Sequence, residues 1–387
     1  MNFLYRIRAL FKKELMLSVS LLAAVISLFI TPPGANLLGS IDWKTLATLF
    51  MLLTVLEGFK NENIFLPLLK KCALFSRTRS LASFFVYSVF ILSMFVTNDV
   101  SLIIFVPLTI FMLKAGGKEK FILPVLTFEN IAAIRGSLLT PFGSPQNLYI
   151  FSKADISAWN FIMMMFPLWI SSAFLLYIFI LILFRKDENE KIIIRKEEVS
   201  APWKKERRGK RILYLFLFFL VILTIVSRSR LWPLVTVFTA GTVLIFDRKI
   251  LLKTDYVLLL TFLCFFVFSS SICRNPAVSA FLESAVKNRE YAWSILLSQA
   301  ISNVPASIVL WPFTGIGNSN LKALLYGLDS AGLCSIIGSL ASVINLRIYS
   351  REFPGARNAW RFIKTFTWIS LAFFAVIVLP QIFLIRL

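Results

Sequence analysis

The chain of 387 residues contains no histidine. That excludes a Ser-His-Asp triad and any histidine proton relay. Its four cysteines, Cys72, Cys264, Cys273 and Cys334, are scattered without a CxxC pair, so a tetrahedral zinc site lacks its ligands. No GxSxG elbow and no G-x4-GK[ST] loop occurs, which argues against enzyme chemistry and leaves ATP-driven pumping to a separate subunit. Acidic residues are scarce, 20 Asp+Glu against 41 Lys+Arg, for a formal net charge of +21 and a pI near 10.1. In a soluble protein that balance would suggest nucleic acid. Here the basic residues gather in segments 6–13, 70–79, 185–211 and 347–364, where the positive-inside bias and anionic headgroups account for them, and no nucleic-acid partner is expected.

What the chain has in abundance is apolar surface: 58% hydrophobic residues, 39 phenylalanines and a mean hydropathy of +0.79. This composition predicts an all-α, polytopic protein of the lipid bilayer. Runs long enough for a hydrocarbon slab of ~30 Å recur, for example 15–30, 161–184, 212–226 and 366–385. The first follows the basic stretch "YRIRALFKKE" without a small-residue cleavage site, and reads as a retained anchor. The charged stretch 185–211 is expected to be a cytoplasmic linker between two membrane repeats, 1–184 and 212–387, with the N-terminus also cytoplasmic. A continuous bundle with one charged loop is the alternative.

A repeat decides between them. "SMFVTNDVSLIIFVPLT", residues 93–109, aligns with "SQAISNVPASIVLWPFT", residues 298–314, in the spacing S-x3-[TS]-N-x8-P-x-T. Ser93 meets Ser298, Thr97 meets Ser302, Asn98 meets Asn303 and Pro107 meets Pro312. Likewise "LLTPFGSPQN", 138–147, aligns with "LCSIIGSLAS", 333–342, matching Thr140 to Ser335, Gly143 to Gly338 and Ser144 to Ser339. A membrane helix satisfies its own backbone, so breaks occur where protein or water takes over the freed groups. The two prolines remove donors, and Gly143, Ser144 and Pro145 suit a broken helix. Each repeat is therefore expected to hold one re-entrant helical hairpin, the first turning at 97–99, and one broken helix. Paired broken elements point to a transport site near the bilayer midplane, where hydroxyls, amides and freed carbonyls suit Na⁺ and helix N-termini suit an anion. The alternative for the isolated Ser and Thr residues is interhelical hydrogen bonding, worth about 0.6 kcal/mol each.

Intramembrane charge adds to this picture. Asp99 follows the duplicated asparagine and its counterpart is Val304; it either gives negative charge to a cation site or carries a proton, with capping of the hairpin helix as the structural alternative. Glu129 and Arg135, in a stretch with Asn130, are six residues apart and share no helix face, so each needs its own partner. Arg135 supplies positive charge to an anion or balances charge locally. Arg274 and Asp329 are further charges of the same kind, with an interface position the alternative for Asp329.

At "FVTNDVSLIIFVPLT", "GSLLTPFGSPQNLYIF", "ISNVPASIVL" and "GSLAS" the chain resembles the ion transporter superfamily, nearest its arsenite/citrate permease branch. That superfamily also includes divalent anion/sodium symporters and D-type sodium/proton antiporters. The resemblance implies inverted-topology repeats, a homodimer with a scaffold domain, and elevator-like movement. It places Thr97-Asn98-Asp99 and Ser302-Asn303-Val304 at hairpin tips, and Gly143–Asn147 and Gly338–Ser342 at unwound segments. Both tips lack the terminal threonine that the symporters use for dicarboxylate, and the second segment lacks a Pro-Pro-Asn-like ending. Substrate is thus expected against Thr97, Asn98, Ser302, Asn303, Thr140, Pro141, Gly143, Ser144 and Asn147. A coupling ion, Na⁺ or H⁺, is expected at Ser93, Asn98, Asp99, Gly143, Ser298, Asn303, Gly338 and Ser339. The expected activity is secondary transport of a small anion or oxyanion across the cytoplasmic membrane, with no covalent cofactor. Arsenite efflux and sodium/proton antiport are the alternatives within that class, and a transport-inactive scaffold is the alternative outside it.

Overall fold

In a computed structural model, residues 15–32, 37–62, 64, 77–185, 208–315 and 317–386 are described. The basic segment 6–13, most of 70–79 with Cys72, and residues 186–207 of the expected linker lie outside the described residues. The described residues are all-helical, and seven of their helices are long and apolar enough to cross a membrane.

The helices, in chain order, are α1 Leu15–Ile30, α2 Trp43–Asn61, α3 Thr78–Val96, α4 Asn98–Ala115, α5 Ile122–Gly136, α6 Pro145–Lys153, α7 Ala158–Leu183 and α8 Arg208–Val226. They continue with α9 Trp232–Lys253, α10 Tyr256–Arg274, α11 Pro276–Val286, α12 Glu290–Ile301, α13 Asn303–Leu310, α14 Asn318–Ala331, α15 Leu340–Glu352 and α16 Ala356–Arg386. The described part of α1 covers the apolar run 15–30 that the sequence marks as the first span. It lies along α10.

The middle of the molecule is built on α5, which is buried along its whole length except at Pro124 and is flanked by α3, α4, α7, α15 and α16. A helix surrounded on all sides must be apolar all round or pair every polar group it carries. Aromatic packing such as Phe85 on Phe105 and Phe121 on Phe184 fills the layers beside it. Large apolar side chains elsewhere turn outward, Phe29 84% and Phe174 67% exposed, as lipid-facing helices require.

The single-residue helix breaks fall where the sequence repeat puts them. Pro107 sits inside the continuous α4, and Pro312 lies in a 3-10 turn after α13. The breaks are at Thr97 and Ser302, each a single residue between two helices.

Candidate functional site

Thr97 adopts φ 71°, ψ 155° and Ser302 adopts φ 69°, ψ 159°. This corner of backbone space is all but confined to glycine, and a residue with a Cβ held there stores of order 1–3 kcal/mol. The next residue in each case, Asn98 or Asn303, begins a helix. Its main-chain N–H has no partner within that helix and donates to a glycine carbonyl: Asn98 to Gly143 and Asn303 to Gly338, each at 3.3 Å.

Those glycines belong to two non-helical segments of the same form. Gly143 donates its N–H to the Thr140 carbonyl, and Gly338 donates to the Ser335 carbonyl. The Thr140 hydroxyl donates to the Met94 carbonyl at 2.5 Å, and the Ser335 hydroxyl donates to Oε1 of Gln299, the residue aligned with Met94, at 2.6 Å. After each glycine an extended serine, Ser144 or Ser339, leads into the next helix, α6 or α15. The segments then cross over. Helix α6 packs on α13, the helix behind the second break, and α15 packs on α4, the helix behind the first. Four helix N-termini therefore stand in two adjacent pairs, an arrangement favourable to negative charge.

The polar side chains at the centre make contacts across the chain. Asn130 Nδ2 donates to Ser342 Oγ at 3.0 Å, and Asn345 Nδ2 donates to the Leu126 carbonyl at 2.8 Å. In the other direction Gln146 Nε2 and Asn147 Nδ2 donate to the two carboxylate oxygens of Asp329, at 2.9 and 3.1 Å. Arg135, fully buried, donates from Nε to Ser172 Oγ and from one terminal nitrogen to Ser330 Oγ and the Asp329 carbonyl. Glu129 accepts from the Thr109 hydroxyl at 2.5 Å. Glu129 and Arg135 thus have separate partners. Nη2 of Arg135 and Oε2 of Glu129 are nevertheless buried without a hydrogen-bond partner, and stripping a buried charge of its remaining contacts costs several kcal/mol.

Asp99, in the first turn of α4, has one carboxylate oxygen buried without a hydrogen-bond partner. It lines a cavity of about 460 Å³ with Thr97, Ser144, Glu57, Lys60 and Asp255, and a second of about 260 Å³ that reaches Ile337 and Arg347. The structure therefore brings together Thr97, Asn98, Asp99, Thr140, Pro141, Gly143 and Ser144 at one break, and Ser302, Asn303, Gly338 and Ser339 at the other. Ser93 and Ser298 lie one turn back, inside their helices, each donating its hydroxyl to its own helix backbone. Arg274 is exposed at the end of α10. Gln146 and Asn345 were not singled out in the sequence, and Ser342, expected in an unwound segment, lies in the first turn of α15; the signal for Gln146 was a second amide beside Asn147 in an apolar stretch.

A polytopic helical bundle with a polar, buried centre at paired helix breaks defines a membrane transporter. The chain belongs to the citrate transporter family (CitMHS), whose pattern matches residues 9–316, through the second break. It is 33% identical over 351 residues to the inner membrane protein YbiR of Escherichia coli strain K12, covering 88% of this chain and 89% of that one. It is 29% identical over 313 residues to the uncharacterized transporter MJ0456 of Methanocaldococcus jannaschii, covering 80% and 81%.

Proposed function

We propose that the protein is a secondary active transporter that moves a small anion or oxyanion, carboxylate-like in chemistry, across the cytoplasmic membrane, coupled to Na⁺ or H⁺. The observation that carries this is the recurrence of one geometry: a left-handed residue, an asparagine opening a helix, and that asparagine's N–H on the glycine carbonyl of an unwound segment. Two such centres are what two inverted repeats with re-entrant hairpins would produce. The second arm pair supports the hairpin: α12 and α13, of 12 and 8 residues, are too short to cross. The two ends of that stretch also meet, since Glu290 Oε1 accepts from the N–H groups of both Asn288 and Gly315, each at 3.1 Å.

In this account Thr97, Asn98, Ser302, Asn303, Thr140, Pro141, Gly143, Ser144 and Asn147 meet the substrate. Asn98, Asp99, Gly143, Asn303, Gly338 and Ser339 hold the coupling ion, with Ser93 and Ser298 supporting them from one turn back. The protein works as a homodimer with a cytoplasmic N-terminus. Melting temperature in detergent tests it: a ligand at about 100 times its dissociation constant stabilises by ~2.7 kcal/mol. The measurement runs across Na⁺, K⁺ and choline, with citrate, succinate, sulfate and arsenite added in turn. Stabilisation by one cation and one anion, lost in Asn98→Ala, is expected; indifference to every solute contradicts it.

The unpartnered oxygen of Asp99 favours a second arrangement, in which the coupling ion is a proton, as arsenite efflux or sodium/proton antiport would use. In that case stability and transport follow pH, and Asp99→Asn flattens the response.

A further inference from the structure

Asp329 takes one amide N–H from Gln146 and one from Asn147, onto separate carboxylate oxygens. An ionised carboxylate only accepts, so both amides must turn their NH₂ groups towards it. Their carbonyl oxygens then face elsewhere, and both, Gln146 Oε1 and Asn147 Oδ1, are buried without a hydrogen-bond partner. Ser144 Oγ, two residues earlier, is in the same condition. Exposure of the three residues is 1%, 2% and 0% for Ser144, Gln146 and Asn147. Buried oxygens without donors are costly, and three within four residues at the start of α6 are not explained by packing. Hard oxygens with no donor suit a hard cation such as Na⁺. Arg135, hydrogen-bonded to the Asp329 carbonyl, supplies the positive charge that keeps the carboxylate tolerable in the interior.

We propose that Asp329 is a positioning residue. From a helix some 180 residues away in the chain it fixes the polarity of the first turn of α6, directly after the first unwound segment, holding two amides with their oxygens turned away from its carboxylate so that these oxygens select a cation over a second anion. The inference rests on the transport function proposed above and adds to it the residue that sets ion preference. Asp329→Asn tests it, because the neutral amide keeps the shape while presenting one donor. One of the two partners must then rotate by half a turn and offer NH₂ where it had offered oxygen.

The half-saturating Na⁺ concentration is read from melting temperature, with choline as the balancing cation, and from Na⁺-dependent uptake in proteoliposomes. Asp329→Asn is expected to raise it roughly tenfold or more, in line with a lost charge-assisted contact. The half-saturating anion concentration at saturating Na⁺ changes less than about twofold, a split that a purely structural role does not produce. Asn147→Asp added to Asp329→Asn restores an oxygen to the face and a donor-acceptor pair between the helices, and brings the Na⁺ dependence back. Gln146→Met removes one oriented oxygen and leaves the Asp329 charge alone; it too weakens Na⁺, and it serves if Asp329→Asn does not fold. Unchanged Na⁺ dependence in folded Asp329→Asn, or in Gln146→Met, overturns the proposal. So does a wild type that responds to anions but not to Na⁺, which leaves the transport function standing; a wild type that neither binds nor moves any solute contradicts the transport function itself.

Discussion

At Gly143 and Gly338 an added Cβ would lie 2.2 Å from the carbonyl oxygens of Ser137 and Ala331, backbone atoms that cannot swing aside. Gly143→Ala and Gly338→Ala are therefore each expected to cost about 1–3 kcal/mol and to displace the carbonyl that receives Asn98 or Asn303. Gly241, with nothing within 4 Å of its Cβ position, is the control: Gly241→Ala leaves the melting temperature unchanged or raises it slightly. Strain makes the opposite prediction at the breaks. Thr97→Gly relieves a β-branched residue at φ 71° and is expected to raise the melting temperature while weakening transport, since the strained geometry fixes Asn98. Much of this residue-level detail was legible in the sequence, because Asn98, Asn303, Gly143 and Gly338 are conspicuous in apolar surroundings and recur in register. The left-handed residues were not, since neither is a glycine. Asp329 stood out as a charge, but its partners are 182 and 183 residues distant, and spacing says nothing about such pairs.

Among the elements, the two broken stretches differ in length although they share their geometry. Helices α3 and α4 have 19 and 18 residues, each enough for a span, whereas α12 and α13 have 12 and 8. Cysteines placed at Asn288 and Gly315 in a cysteine-free background are therefore expected to react with an impermeant thiol reagent from the same side of the membrane. Labelling from opposite sides would show that the stretch crosses. The first turn falls inside the 97–99 stretch read from the sequence, and Pro107, which removes a donor, lies within the continuous α4, where neighbours take up the freed carbonyl.

For the whole molecule, burial runs opposite to that of a soluble protein at its centre. Polar and charged groups, among them Arg135, Asp329, Glu129, Asn130 and Asn147, are fully buried beside the apolar core, while many large apolar side chains such as Phe29 and Phe174 face outward. Such an interior is expensive in a bilayer, and it is kept where ions or substrates pass. The most direct measurement is uptake of a radiolabelled carboxylate by proteoliposomes under an imposed inward Na⁺ or H⁺ gradient, for the wild-type protein and for Asn98→Ala and Asn303→Ala. Gradient-dependent accumulation above the external concentration, abolished in both variants while they remain folded, is the predicted result. Accumulation that survives in either variant would contradict the assignment of the site to the paired breaks.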